Sequence, residues 1–196
     1  MANSDKPSGL TPIGTLTGAD WRGKLRRVAF ASGDSVACFI GDRVKLTGTT
    51  DATGMLPIVA RADATATDAA IGVLIGLEPD GSDEGSLTKI HRVASTARTA
   101  FVCMGGDVLY SVQEDSVGNA IEITEAGWNC ELTTTTGSTV TGISAVELDS
   151  DSAANTSSLA VRLHHLIDSP DNELGTNAKW AVTLNDYQGD RQQTGI

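Results

Sequence analysis

The stretch AAIGVLIGL, residues 69–77, is the longest apolar run of the chain. It is about half as long as the roughly 20 residues that a membrane-spanning helix needs. A short, continuous apolar run, here followed by the turn-forming segment EPDGSDEGS, is typical of a β-strand covered on both faces. A strand whose outer face contacts another chain is the alternative that the sequence leaves open.

On both sides of this run, the chain contains many short segments rich in Val, Ile and Thr. Clusters of Gly, Asp and Ser separate them at intervals of about ten residues. No window sustains the apolar spacing of a long amphipathic helix. In AIEIT, the alternation places Ile121 and Ile123 on one face of a strand. We therefore expect an all-β body, a β-barrel or a jelly-roll-like β-sandwich. The predicted strands are 26–30, 35–40, 42–48, 56–61, 71–77, 87–93, 99–104, 107–112, 120–124, 129–134, 159–167 and 178–185.

The two ends differ from this body in composition. Residues 1–23 contain Pro7, Pro12, four glycines and only scattered apolar residues, which favours an extended N-terminal arm. Such an arm is either disordered or ordered by lying on a neighbouring subunit, where it could pair with an exposed strand edge. We expect the body to span 24–186 and a short C-terminal tail to span 187–196.

Charge and cysteine usage narrow the class of protein. The formal net charge is −11, from 14 Lys and Arg against 25 Asp and Glu, which disfavours nucleic acid and anionic membranes as partners. The start, MANSDKPSGL, lacks the features of a secretion signal, so we expect synthesis in the cytoplasm. Cys38, Cys103 and Cys130 form no Cys-x-x-Cys pair, and we expect them to be buried free thiols.

Searches for catalytic or ligand-binding motifs give little. The sequence contains neither G-x-x-x-x-G-K-[ST] nor G-x-G-x-x-G, and around Ser144 it reads GISAV, with Val146 where a nucleophile elbow needs glycine. His164 and His165 lie in a predicted strand, where they face opposite ways and share no metal. The acidic segments PDGSDEGS and DSDSAAN lack a complete set of calcium ligands. We expect no enzymatic activity, no cofactor and no metal site.

Several stretches, in order along most of the chain, carry a family resemblance. They are ASGDSVACFIGDRVKLTG (31–48), AIGVLIGLE (70–78), YSVQEDS (110–116), GSTVTGISAVELD (137–149) and LIDSPDNELGTNAKWAVTLND (166–186). Together they resemble the capsid decoration, or cement, proteins of tailed bacteriophages.

The resemblance implies a structural virion protein, made in the host cytoplasm, that binds the outer surface of the capsid. It would stabilise the shell by bridging neighbouring subunits of the major capsid protein. The resemblance also implies a homo-oligomer, and a trimer would suit local three-fold positions. Two other classes remain open: a tail tube or head-completion protein, and a β-sandwich carbohydrate-binding module displayed on the particle.

Within this interpretation, certain side chains are candidates for contacts with a partner. Trp21 and Trp180 are favoured because aromatic side chains anchor interfaces, although Trp180 alternates with Val182 and Leu184 and is also compatible with the core. The stretch DSPDNELG, 168–175, is predicted to be a tight turn. The candidates are Leu10, Ile13, Leu16, Trp21, Ser144, Asp171, Asn172, Glu173 and Trp180.

Overall fold

The computed structural model describes residues 3–65, 68–79, 89–133 and 135–189. Across these ranges the chain forms eleven strands and two short 3-10 helices, which confirms the all-β class. The strands are β1 (Thr11–Thr15), β2 (Leu25–Phe30), β3 (Arg43–Thr50), β4 (Pro57–Arg61), β5 (Gly72–Leu77), β6 (Arg98–Met104), β7 (Val108–Gln113), β8 (Asn129–Leu132), β9 (Leu148–Ala154), β10 (Val161–Leu166) and β11 (Lys179–Leu184). The helices are η1 (Trp21–Lys24) and η2 (Ile123–Glu125).

The strands form a barrel and an open sheet. The closed barrel has the order β2-β4-β3-β5-β6, and its pairs are antiparallel except for the parallel pair β2–β4. The six-stranded sheet has the order β1-β7-β11-β10-β8-β9 and is antiparallel throughout. One core fills the barrel, and a second, larger core joins the sheet to the outer side of the barrel.

The apolar run that opens the sequence lies between these two cores. On β5, Leu74 points into the barrel, where it packs with Val28 and Val102, while Val73 belongs to the larger core with Tyr110 and others. Both β5 side chains are fully buried. The prediction of a strand covered on both faces is therefore confirmed. Each such side chain contributes about 1.5–3 kcal/mol relative to an exposed one, so this strand stabilises both halves of the molecule.

Three predicted strands are wrong, wholly or in part. Residues 35–40 and the described part of 87–93, residues 89–93, contribute only isolated bridges, while 87–88 lie outside the described ranges. Residues 120–124 lead into η2, where the backbone N–H of Glu122 donates to the Glu125 carboxylate in a capping box. This local bond replaces strand pairing, and it leaves Ile121 buried and Ile123 70% exposed. β1 and β9 were not predicted as strands.

The predicted boundary of the N-terminal arm also needs correction. β1 pairs with β7 of its own chain, and Leu10, just before it, is part of the larger core. Described residues of the tail likewise lie on the body, because Tyr187 forms a bridge with Ala70 and packs against both cores. Backbone pairing and apolar burial thus attach residues 10–15 and Tyr187 to the body. Residues 1–2 and 190–196 lie outside the described ranges.

Candidate functional site: a three-loop surface

Three loops meet side by side next to one end of the barrel. They are residues 31–42 between β2 and β3, residues 89–97 before β6, and residues 135–147 before β9; we call them together the three-loop surface. The first loop pairs with the second through two backbone hydrogen bonds between Cys38 and Arg92, of 2.9 and 3.0 Å. It pairs with the third through Ile40, which accepts from Ser144 N–H at 2.8 Å and donates to Gly142 O at 2.9 Å. The first loop therefore holds the other two.

Arg92 fixes the first loop from within. Its guanidinium is fully buried and donates to the backbone carbonyls of Ala31 at 2.7 Å, Asp34 at 2.8 Å and Thr96 at 3.1 Å, and also to that of Val36. The Asp34 carboxylate lies 3.2 Å away and supplies the opposite charge. A buried cation is costly unless it is paired and hydrogen-bonded, and here its donors have partners. The loop is thus shaped around a single side chain.

Asp42 attaches the third loop to the barrel. Its fully buried carboxylate accepts a hydrogen bond from the Ser144 hydroxyl at 2.6 Å and from Phe39 N–H at 2.8 Å. Arg61 forms an ion pair with it at 3.2 Å. Burial raises the pKa of Asp42, and Arg61 and the Ser144 hydrogen bond offset part of that rise. Ser144 therefore acts as a structural link between loop and barrel.

Glycines allow the loops to approach each other closely. Gly9 has φ +64°, and a Cβ there would lie 2.7 Å from both Gly41 O and the Ser144 Cβ. Gly142 has φ +73°, and a Cβ there would lie 2.4 Å from Ile90 O. Both positions need a residue without a side chain, for steric and for conformational reasons. The loops pack backbone against backbone, so the loops would lose little conformational entropy when a partner binds.

This ordered surface presents aliphatic side chains to solvent. Val140 is 84% exposed at the tip of the third loop, and Ile143, Val36 and Val93 are 39–47% exposed on the same set of loops. The stacked rings of Phe39 and His91, 4.8 Å apart, join the first two loops. Exposed apolar side chains grouped on a preordered surface are typical of a docking site. This arrangement can bind an apolar partner surface with a small entropic cost.

The structure separates the contact candidates from the sequence into two groups. Leu10, Ser144 and Trp180 are about 1% exposed and belong to the interior, so they are withdrawn as contact residues. Asn172 is also buried, and its side-chain amide holds the 168–175 turn by donating to Ile167 O and Lys179 O and accepting from Lys179 N–H, all within 2.9 Å. These four residues therefore stabilise the fold, Leu10 and Trp180 by apolar packing and Ser144 and Asn172 by internal hydrogen bonds.

The remaining candidates are accessible but lie apart in the fold. Ile13 on β1 and Leu16 just after it are exposed, and Asp171 and Glu173 are exposed on the turn between β10 and β11. Trp21 is half-buried against the larger core. It also lines a small apolar groove of about 160 Å³ between β1 and β5. None of these five lies on the three-loop surface.

Sequence reasoning missed the four aliphatic residues of the three-loop surface. Val140 and Ile143 stand within the polar segment GSTVTGIS, and this isolated apolar pair in a turn-rich stretch was the available signal. Val36 and Val93 fall inside predicted strands, where apolar residues are ordinary. Only the tertiary pairing of the loops brings the four residues onto segments that bond to one another.

A cleft of about 550 Å³ lies on the barrel between β2, the β3–β4 hairpin and the end of β5. Its carboxylates are already engaged: Asp51 accepts from Met55 and Leu56 N–H within its own hairpin, and Glu78 forms a two-point ion pair with Arg27 at 2.7 Å. Phe30, the aromatic residue among its lining, is buried in the barrel. The cleft therefore offers no stacking platform among the described residues.

Titratable groups elsewhere have structural roles. Cys38, Cys103 and Cys130 are free and buried, as expected, and burial raises the pKa of Cys130 to about 12, which makes it unreactive. His164 is half-buried and bonded to the Thr183 hydroxyl at 3.0 Å, while its neighbour His165 is exposed, in line with the predicted opposite orientations. Within the described ranges, no group of three or more His, Cys, Asp or Glu is placed to hold a metal ion.

The strand edges are protected against pairing with another chain. β1 is short, contains Pro12 and carries a bulge at Ile13. Where β3 extends beyond its pairing with β5 in the barrel, the side-chain amide of Gln188 accepts from Leu46 N–H at 2.7 Å and donates to Leu46 O at 3.3 Å. β9 carries Asp149 and Asp151. Prolines, bulges and charges are the usual means of blunting edges, so recognition by this protein is expected to use side chains.

Comparison with protein-family models, with curated proteins and with solved structures gives no match to this chain. Among the described residues, no helix is both long and apolar enough to cross a membrane. The three-loop surface and the stretches that resemble capsid decoration proteins are therefore the two features that point to a function.

Proposed function

We propose that this protein is a structural component of a phage virion that binds the outer surface of the capsid. It stabilises the shell by bridging neighbouring subunits of the major capsid protein. The observation that carries the proposal is the three-loop surface, on which four exposed aliphatic side chains are held by loops that are already ordered. The resemblance to capsid decoration proteins supplies the partner.

The energetics of the surface suit permanent attachment. Binding costs free energy whenever loops or side chains must be ordered, and the buried side chains of Arg92 and Asp42 have already ordered these loops on folding. Aliphatic side chains then contribute through burial, at about 25 cal/mol per Å² of apolar area. A standard interface covers about 800 Å² on each partner, so the four residues would form its centre and not its whole extent.

Bridging adds to the strength of attachment. A copy that touches two capsid subunits makes its second contact intramolecularly, so two modest interfaces combine into tight binding. The exposed residues Ile13 and Leu16 lie outside the three-loop surface and could take part in that second contact. The acidic character of the chain fits a position on the outside of the shell, away from packaged nucleic acid.

The test is binding of the purified protein to undecorated, expanded shells. We expect saturable binding at a fixed ratio to the capsid subunits, and at least a tenfold loss of affinity in the variant V140D/I143D, because charge at the centre of an apolar interface is left desolvated. The control is Met55→Asp, which changes an apolar residue on the β3–β4 hairpin that is about as exposed as Val140. The control is expected to bind like wild type.

Other results would contradict the proposal at different levels. If M55D weakens attachment and V140D/I143D does not, the capsid function stands and the assigned surface is wrong. If wild type does not bind shells and assembles by itself into rings or tubes, a tail tube or head-completion role replaces the capsid function. Saturable binding of an oligosaccharide without shell binding would favour the carbohydrate-binding module.

A further inference from the structure

The N-terminal residues 3–9 cross the body as a strap before the chain enters β1. Ser4, Asp5 and Lys6 are exposed, so burial contributes little to holding them. At the start of the strap, the Asn3 side chain bonds with the 173–176 turn, donating to Glu173 O at 2.8 Å and accepting from Glu173 N–H at 2.8 Å. At its end, Gly9 is fixed against Gly41 and Ser144. Between these two anchors, the side chain of one body residue forms hydrogen bonds to the strap on both its oxygen and its nitrogen.

That side chain is Gln113, at the end of β7 and buried. Its carbonyl oxygen accepts from Lys6 N–H at 3.0 Å. Its amide nitrogen lies within hydrogen-bond distance of three acceptors: Glu147 Oε1 at 3.0 Å, Asp5 Oδ1 at 3.2 Å and Asn177 Oδ1 at 3.4 Å. An amide group has two N–H donors, so three acceptors compete for two protons. Two of the three belong to carboxyl groups of different segments.

The surroundings of Glu147 are rich in negative charge. Burial raises the pKa of Glu147 to about 7, the charges of Asp5 and Asp115 add to the rise, and the hydrogen bond from Gln113 offsets part of it. Asp5 comes from the strap and Asp115 from the residues after β7, while the loop after β8 contributes the neutral hydroxyl of Thr133, which accepts from Glu147 N–H at 3.0 Å. When Glu147 is ionised, it repels the strap through Asp5.

We propose that Asp5, Gln113 and Glu147 form a proton-controlled latch, in which protonated Glu147 holds the strap on the body and ionised Glu147 loosens it. In the protonated form, Glu147 no longer repels Asp5, and its hydroxyl becomes a donor in a site that is short of donors. In the ionised form, two carboxylates share one amide. The proposal rests on this geometry and is independent of the capsid function.

The direction of the pH effect follows from the environment of the carboxyl group. The charge of Asp5 on the latched strap adds to the rise in the pKa of Glu147 above 4.5, and release of the strap removes that charge, so the latched state binds the proton more tightly than the released state. Latching is therefore strongest at low pH and weakens as the pH rises through about 7. Because Glu147 is only half-buried, solvent screens its charge, and we expect about a tenfold change in the ratio of released to latched strap.

Strap mobility can be measured directly with a spin label on the variant S4C, since Ser4 is exposed between the two anchors and the native cysteines are buried. Electron paramagnetic resonance spectra should show a mobile component that grows about tenfold from pH 5.5 to 8.5, with a midpoint near 7. In E147Q, a neutral mimic of the protonated acid, the label should stay immobile across the range. D5N should likewise reduce mobility at high pH, because it removes the repulsion.

The matched control is Glu114→Gln, which neutralises another buried carboxyl group whose pKa is also raised to about 7 but which bonds Ile121 N–H inside the body. Its strap should keep the wild-type midpoint. A label whose mobility in wild type does not change with pH would overturn the latch, as would a midpoint that persists unchanged in E147Q. Circular dichroism of each variant establishes that it is folded, so immobility is not confused with misfolding.

Discussion

Gly9 lies where the strap crosses the backbone of the first loop, and it has the clearest steric requirement of the N-terminal segment. We expect Gly9→Ala to lower the free energy of unfolding by about 2–4 kcal/mol, because the new Cβ would meet Gly41 O and the Ser144 Cβ and because φ +64° disfavours alanine. Gly14 on β1 is the matched control, since its φ is unrestrictive and a Cβ there meets nothing within 4 Å. G14A should change stability by less than about 0.5 kcal/mol in urea denaturation. Equal effects of the two substitutions would contradict the packing described at Gly9.

Glu114 makes the stability of the body depend on pH. Its carboxyl group is fully buried and accepts from Ile121 N–H at 3.0 Å. Burial raises its pKa from 4.5 to about 7, and the nearby Trp180 indole N–H, although outside strict hydrogen-bond geometry, offsets part of the rise. The folded state therefore binds this proton more tightly than the unfolded state. The resulting stabilisation is complete below pH 4.5 and is lost as the pH rises through about 7.

We expect the wild-type free energy of unfolding to fall by about 1–3 kcal/mol between pH 5 and pH 8, as measured in urea at each pH. The variant Glu114→Gln keeps the shape of the neutral acid and has no proton to lose. Its stability should fall less over the same range, leaving it more stable than wild type at pH 8. Parallel curves for the two proteins would show that Glu114 is not the source of the pH dependence.

At the level of elements, β5 is the strand on which both halves of the molecule depend. Adjacent residues on a half-exposed strand differ sharply in their contribution to stability, because only every second side chain is buried. On β5, Val73 and Leu74 are both fully buried, one in each core. The bulge at Ile75, between Leu74 and Gly76, marks where β5 departs from regular pairing with β6.

We expect both Leu74→Ala and Val73→Ala to be clearly destabilising, by about 2–5 kcal/mol for the leucine and somewhat less for the smaller valine. Each substitution leaves a cavity, one inside the barrel and one between barrel and sheet. Phe101→Ala on the outer face of β6 is the comparison, and it should cost less because Phe101 is partly exposed. A neutral V73A in thermal or urea unfolding would mean that the outer face of β5 is not part of a core.

The elements also show how local bonds override a sequence pattern. The alternation Ile121-Glu122-Ile123 has the period of a strand, yet the segment turns into η2 because Glu122 and Glu125 bond each other's backbone. The adjacent residue Ile121 is held in the core while its N–H donates to Glu114. Side-chain to backbone bonds of this kind compete with strand pairing over short segments.

For the whole molecule, the shared wall of β5 and β6 makes the barrel and the sheet mechanically one unit. The protected edges of β1 and β9 limit pairing with other chains through the backbone. The proposed binding would therefore use side chains on the loops, where Arg92 and Asp42 have fixed the backbone.

One of the three loops of the candidate site could be predicted from the sequence. The segment 137–149 is one of the stretches that carry the family resemblance, and its residues 137–147 form part of the three-loop surface, but the contact candidate within it, Ser144, is the buried link to Asp42. The sequence alone does not distinguish a serine hydroxyl that faces solvent from one that bonds a buried carboxylate. Trp21 and Trp180 likewise differ only through the strands packed around them.

The sequence by itself determined the all-β class, the positions of most strands and the burial of the three cysteines, because period, turn residues and apolar runs act over a few neighbouring residues. Only the tertiary structure decided that two cores share β5, that residues 10–15 join the body, and that the loops carrying the exposed residues Val36, Val93, Val140 and Ile143 bond to one another. These outcomes depend on contacts between residues far apart in the sequence, such as Asp42 with Ser144. Their free energy comes from packing and from bonds to buried charges, which no local pattern records.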